Sequence, residues 1–385
     1  MSILSNAHNF SNINSSGVDP RTGMYICSIR IADFLSHKTV GNPIPLILNY
    51  RAESVRDEGF GRGWLLSLSR FDKEFDLIYL SSGQSYKAIY NHQTSEYKLP
   101  SRKIKDLKLL YSLSNDEINV IYKNGIVESI DYKTGALKKI TSVQGLETKF
   151  HYRENDQTNK LWKITDDSGR ELRIDYWSED LKTTITQVVS GETYQTLVVE
   201  KESNGIYKRL KTLHLPDNES KINLEYEYLN NINYDLIKVF SHPSGLKEIL
   251  TYQNEGHSFP SGGPVSKVPY VIKHQLVAGS SQPTRITNYT YSDKNYLGFA
   301  SEAAFVTGED TLFKSRSDYE YSSVEKINNT QSITRYYNKY HLQKSIEYRH
   351  NDELYRKEES VYYAEINTSL EHQPANYSCL KERKT

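Results

Sequence analysis

Cysteine is nearly missing from this chain. Cys27 and Cys379 stand at opposite ends of its 385 residues, which excludes a disulfide framework and any C-x-x-C metal or redox pair. A net sign of charge is missing too. Lys+Arg and Asp+Glu are both 48, and no block of like charges stands out apart from the short tail Lys381-Glu382-Arg383-Lys384. A nucleic-acid binder shows a basic stripe, so no nucleic-acid partner is expected. No apolar run approaches the ~18 residues of a membrane span. Residues 1–23, rich in Asn and Ser, lack the apolar core of a secretory signal peptide. The expectation is a protein without a membrane span that is secreted or reaches the cell surface by a specialised export route, or otherwise stays in the cytoplasm. Apolar content of 37% is low for a compact enzyme and fits thin β-structure with much wet surface.

Chemistry is equally sparse. The eleven histidines form no H-E-x-x-H, and there is no G-x-S-x-G nucleophile elbow. His242, His257 and His274 read as turn or surface residues. Asp166-Asp167 reads as a turn before Gly169, because the alternating oxygen ligands of a calcium loop are missing. No Gly-Lys-Ser/Thr follows the glycines of G-F-G-R-G-W at 59–64, which therefore read as a turn docking Trp64 under a sheet. No carboxylate pair is singled out for glycoside hydrolysis. No catalytic residue, metal or cofactor is expected, and the chain is read as not an enzyme.

What the chain has is tyrosine, 31 residues of it, and a rhythm. A glycine followed seven residues later by a tyrosine recurs at Gly83/Tyr90, Gly125/Tyr132, Gly145/Tyr152, Gly169/Tyr176 and Gly245/Tyr252. Three copies share an upstream apolar pair: Phe75/Ile78, Leu137/Ile140 and Leu161/Ile164. Leu236/Val239 keeps the step with one extra residue before Gly245. Two copies repeat at 24 residues, within the range of repeat architectures. Between glycine and tyrosine the side chains alternate. Leu172, Ile174 and Tyr176 stand against Glu171, Arg173 and Asp175, as in a strand with one buried face. The register loosens at Leu246, Leu250 and Tyr252, where Glu248 falls on the apolar parity. Each unit reads as strand, tight glycine turn, strand, with a tyrosine packing on the neighbouring hairpin. Stacked hairpins bury a face that none buries alone.

These features divide the chain into a polar arm (1–16), an opening block (17–72), hairpin repeats (73–256), a Gly/Pro/Ser-rich loop or boundary (257–269), degenerate hairpins (270–365) and a polar tail (366–385) without a closing element. The segment Ser301 to Phe313 has room for a short helix. The fold class expected is all-β: antiparallel hairpin repeats laid into one long curved sheet.

The spacing Tyr132-x-x-Gly135-x-Leu137-x-x-Ile140-x4-Gly145-x6-Tyr152 resembles the YD repeat of the RHS/YD-repeat proteins. The name-giving pair is inverted here, as Asp131-Tyr132. The opening G-V-D-P-R-T-G at 17–23, Pro45-Leu46-x-Leu48-x-Tyr50 and G-F-G-R-G-W look like the N-terminal region of bacterial RHS proteins. The stretch from Pro269-Tyr270 through Gln282-Pro283 to Tyr291–Phe299 is similar to a block of members labelled sugar-binding or insecticidal-toxin-like. The resemblance covers roughly residues 17–365. It implies a sheet spiralling into a shell around a C-terminal toxin, with this chain as the front part, a truncated copy or one piece of a split system. The family's Asp-Pro-x-Gly-Leu core motif has no counterpart beyond Asp19-Pro20, so self-cleavage and toxicity are not carried over. The partners it implies are a further RHS/YD-repeat segment, a toxin cargo or a second copy, reached through an unpaired strand edge. The alternative is a carbohydrate-binding surface protein. Trp177 and Trp162 are its candidate stacking residues, although Trp162, between Leu161 and Ile164, reads as packing against the next hairpin.

Overall fold

In the computed structural model, residues 4–10, 16–41, 43–153, 160–177, 181–217, 219–279 and 281–385 are described. Among them regular structure is strand apart from four 3-10 turns, at Asn6–Phe10, Ser36–Thr39, Thr311–Lys314 and Leu370–His372. One large antiparallel sheet pairs strands in chain order from Ile89–Asn91 to Leu380–Lys384. It is not closed into a barrel. Two small sheets belong to the opening part of the chain: Ser16–Val18, Tyr25–Leu35, Pro43–Tyr50 and Trp64–Leu66, then Arg70–Asp72, Leu77–Tyr79 and Ser85–Lys87. The all-β expectation holds.

The repeat works through one turn geometry. In Leu80–Gln84, Tyr122–Ile126, Ser142–Leu146 and His242–Leu246 the first residue's N–H donates to the fifth residue's carbonyl, and its own carbonyl accepts from the glycine N–H. This is the three-residue hairpin loop, a type I turn closed by a left-handed residue. The glycines Gly83, Gly125, Gly145 and Gly245 have φ of 85°, 87°, 81° and 87°. A Cβ at Gly83, Gly145, Gly169 or Gly245 would meet open space, so the dihedral alone selects glycine there. The strand after each glycine alternates as expected. In Arg170–Trp177, Leu172 and Ile174 are buried while Arg173, Asp175 and Trp177 are exposed.

Several boundaries move. In the copy at Gly245 the residues matching Leu161 and Ile164 in register are Ile237 and Phe240, both buried, not Leu236 and Val239. The extra residue disappears once positions are counted back from the turn. The start is not a free arm: Ala7 joins a core with Phe259, Tyr296, Leu312 and Tyr337. The tail is not featureless, for Leu380–Lys384 pairs with Glu359–Tyr362. The 257–269 segment is the end of a long hairpin: residues 259–266 form its loop, and the ends of the segment belong to the strands Lys247–Ser258 and Lys267–Val277. Gly and Pro mark dihedral requirements that a hairpin loop and a linker share. The helix sought within Ser301–Phe313 is the 3-10 turn Thr311–Lys314.

The chain forms two compact units. One comprises Met1–Cys27, Pro100–Ile104 and Glu225–Thr385; the other comprises Ser28–Leu99 and Lys105–Leu224. Both main divisions fall inside strands, Tyr25–Leu35 and Lys221–Leu229.

Candidate functional site: where the opening segments meet the repeats

The third residue after a repeat glycine points to the buried face. In two copies it is Tyr86 or Leu172; in three it carries an oxygen that holds a serine laid against it. Thr148 Oγ1 lies 2.8 Å from Ser36 Oγ. Glu128 accepts from Ser81 Oγ at 3.1 Å and from the Tyr122 hydroxyl at 2.9 Å. Glu248 accepts from Ser16 Oγ. The repeat thus supplies docking points, and the buried polar groups are satisfied.

In the unit built on Ser28–Leu99 and Lys105–Leu224, the G-F-G-R-G-W turn seats on the repeats by close backbone approach. A Cβ on Gly59 would lie 2.0 Å from the Tyr176 ring, and one on Gly61 would lie 2.5 Å from Leu210 N. The Gly59 carbonyl accepts from Thr183 Oγ1 at 2.7 Å and Lys201 Nζ at 2.9 Å. Arg62 N–H donates to the Lys208 carbonyl, and its guanidinium lies 4.2 Å from the Tyr207 ring centroid. Trp64 is fully buried beside Tyr50. The amides of Gly59 and Gly61 both donate to Asp57 Oδ1, at 2.8 and 3.0 Å. An internal carboxylate therefore occupies the amides that a phosphate would need. Asp166 shapes its own turn through Ser168 and Arg170 and also accepts from His37 N–H at 2.5 Å. Gly135 lets Phe71 dock: Phe71 N–H donates to the Gly135 carbonyl at 2.9 Å, and a Cβ on Gly135 would strike Phe71 O.

Burial lowers the buried Lys201 ammonium to a pKa of about 8. A lysine depressed in the folded state binds fewer protons than the unfolded chain between that value and 10.5, so stability should rise with pH across this window. The rise is at most about 3 kcal/mol. Urea unfolding of the wild type and Lys201→Met at pH steps from 7.5 to 9.5 checks this. An equal slope in both proteins would refute it.

In the other unit, His242 and His274 converge on Glu248. Their Nε2 atoms lie 2.7 Å from Oε1 and Oε2 respectively. Burial pushes the Glu248 carboxyl up, but His242, His274 and Ser16 outweigh it and hold the pKa at about 2. His242 opens the Gly245 turn as its turn reading has it, whereas His274 and His257 are buried, which corrects the turn-or-surface reading for those two. His257 stays apart, buried among Tyr270, Tyr291 and Tyr296, and burial lowers its pKa to about 3. Tyr25 and Cys27 face the same carboxylate, and burial raises both. A second buried pair, Asp310 and His341 at 2.9 Å, accepts the Asn6 N–H at 2.5 Å, with the Tyr321 hydroxyl on His341 Nδ1. No group of three or more His, Cys, Asp or Glu able to hold a metal ion occurs among the described residues. No helix among them is long and apolar enough to cross a membrane.

The repeat tyrosines face the packed side without being uniform. Tyr176 and Tyr252 donate to the carbonyls of Leu161 and Ile237, at 2.6 and 2.7 Å, each eight residues before its glycine. Tyr132 stacks on Phe71 and, through Tyr111, joins Tyr90 in a ring cluster. Tyr152 is half-buried and lines a cavity together with Arg56, Glu58 and Leu161. Trp162 does not pack between hairpins but is exposed, like Trp177. The Glu248 centre was signalled only by a carboxylate on an apolar parity.

No protein-family model and no curated protein matches the chain. Among solved structures it is similar to a porin-like protein from Bacteroides uniformis, with 11% identity, covering 67% of this chain and 97% of that one at a TM-score of 0.27. It is also similar to the Tc holotoxin pore of Photorhabdus luminescens, with 9% identity, covering 92% and 19% at a TM-score of 0.27. A TcdB2–TccC3–Cdc42 structure matches at 10% identity, covering 88% and 22% with a TM-score of 0.25. At such scores these likenesses carry no argument about this chain.

Proposed function

We propose that this protein is a non-enzymatic scaffold, the front segment of an RHS/YD-type repeat wall that encloses or presents a toxin in a bacterial toxin or cell-surface system. One observation carries the reading. Five buried polar side chains, Thr148, Asp166, Lys201, Glu248 and Asp310, are engaged in holding Ser36, His37, Gly59, Ser16 and Asn6 of the opening segments. Groups fixed in this way organise a wall and are not free for reaction. The partner is a further repeat segment or a second copy added to the sheet edge. Leu380–Lys384 is exposed along its length and pairs with Glu359–Tyr362 on one side, and such edges recruit strands.

Sedimentation velocity over a concentration series, with and without a co-expressed repeat segment, tests this. Concentration-dependent association or a stable complex is expected, and Glu382→Pro or Arg383→Pro, whichever amide faces outward, should abolish it. A chain that remains monomeric and ignores the added segment would contradict the proposal.

A further inference from the structure

Where the strand Arg70–Asp72 meets Gly135 and Ala136, a cavity of about 40 Å³ remains. That is room for about three water molecules. Its apolar walls include Phe71, Leu137 and Leu161, all buried. Its polar lining includes Arg70, Tyr152 and the Arg56–Glu58 ion pair. Two of these groups have hydrogen bonds to give and nothing to take them. The Arg70 guanidinium lies over the Tyr79 ring, 3.6 Å from its centroid, and forms no hydrogen bond or ion pair with the described residues. Stacking of this kind leaves the in-plane N–H fork of a guanidinium free. The Tyr152 hydroxyl likewise has no hydrogen-bond partner among the described residues. Glu58 answers neither of them. Its Oε1 accepts from Arg56 at 3.2 Å, and its Oε2 accepts the Leu66 N–H at 2.9 Å.

We infer that this cavity takes a carboxylate group, bound by the Arg70 fork and the Tyr152 hydroxyl. The lining chooses the ligand. Arg56 and Arg70 stand against the single carboxylate of Glu58, so the cavity carries an excess of positive charge. A carboxylate only accepts hydrogen bonds, and its two oxygens match a guanidinium fork in pairs. Three heavy atoms also suit the volume better than the five of a phosphate. Apolar walls exclude water and strengthen the attraction between the two charges, and donors left unpaired at such a place call for an acceptor. Burial lowers the Arg70 pKa, and the nearby Arg56 and Arg51 add to that effect; an anion would relieve both. The carboxylate can come from a small free acid or from the end of a peptide. The inference is independent of the scaffold reading.

Isothermal titration calorimetry of the full chain with acetate, with the peptide Gly-Gly-Gly, with its C-terminal amide and with inorganic phosphate tests this. Acetate, the peptide acid or both should bind saturably, with a Kd on the order of millimolar, and the amide should not. Binding of acetate alone marks a free acid as the source, and binding of the peptide acid marks a chain end. Tyr152→Phe, which removes only the hydroxyl, and Arg70→Lys, which keeps the charge without the fork, should each weaken binding about tenfold or more. Far-UV circular dichroism should be unchanged in both. Silence with both carboxylates overturns the inference, as does an amide that binds as well as the acid or a phosphate that binds more tightly than either carboxylate. Undiminished binding in both variants overturns it too.

Discussion

Replacing Glu248 with alanine is expected to destabilise the protein by about 3–5 kcal/mol, the usual cost of removing one member of a buried charged network. Two imidazoles and the Ser16 hydroxyl would lose their common acceptor inside a packed face. The same centre predicts an acid limb. Its folded-state pKa of about 2 lies below the ordinary 4.5, so the stabilisation is complete above the higher value and is lost as pH falls toward the lower one. The depression corresponds to about 3 kcal/mol at most. Urea unfolding between pH 6 and 2.5 should show the fall in the wild type and a flatter limb in Glu248→Gln. Identical acid limbs would mean that Glu248 is not held as an ion.

The second large effect concerns glycine. Gly59→Ala should cost about 4 kcal/mol, adding backbone strain at a positive φ to a collision with a packed ring. The φ is +102°, and the new methyl would sit 2.0 Å from Tyr176 Cε1. Gly169→Ala meets open space at φ +82° and should cost about 1–2 kcal/mol, from the left-handed conformation alone. Chemical denaturation of both variants measures the contrast. The double variant Gly59→Ala/Tyr176→Ala should lose less than the sum of its parts, because truncating the ring removes the collision. Additive losses, or equal costs at the two glycines, would defeat the docking account.

Much of the wall was readable from local chemistry. The turn at Gly145 needs a left-handed residue, and the alternation through Thr148 and Phe150 needs a pleated half-buried strand; both demands are met within a few residues. Less was readable wherever a side chain answers to a partner far along the chain. Trp162 lies between buried Leu161 and Ile164, and only the register shift between His151 and Tyr152 on the facing strand, which leaves it unpaired, turns it outward. His242 and His274 are 32 positions apart in the sequence. They meet because the hairpin turn at Gly245 and the strand Lys267–Val277 both flank Glu248. Ala7 and Ser16 lie in a stretch whose composition reads as solvated, yet each is held by residues more than 200 positions away.

Period and turn chemistry are properties of neighbouring residues. Backbone dihedrals and pleat direction act over that range, so the hairpin repeat and its all-β character were written in the order of the amino acids. The docking of Asn6, Ser16, Ser36, His37, Gly59 and Phe71, the two buried carboxylate–histidine centres and the outward turn of Trp162 were settled by folding. Those outcomes depend on which strands lie side by side and in what register, and hydrogen-bonded pairing between distant segments sets that.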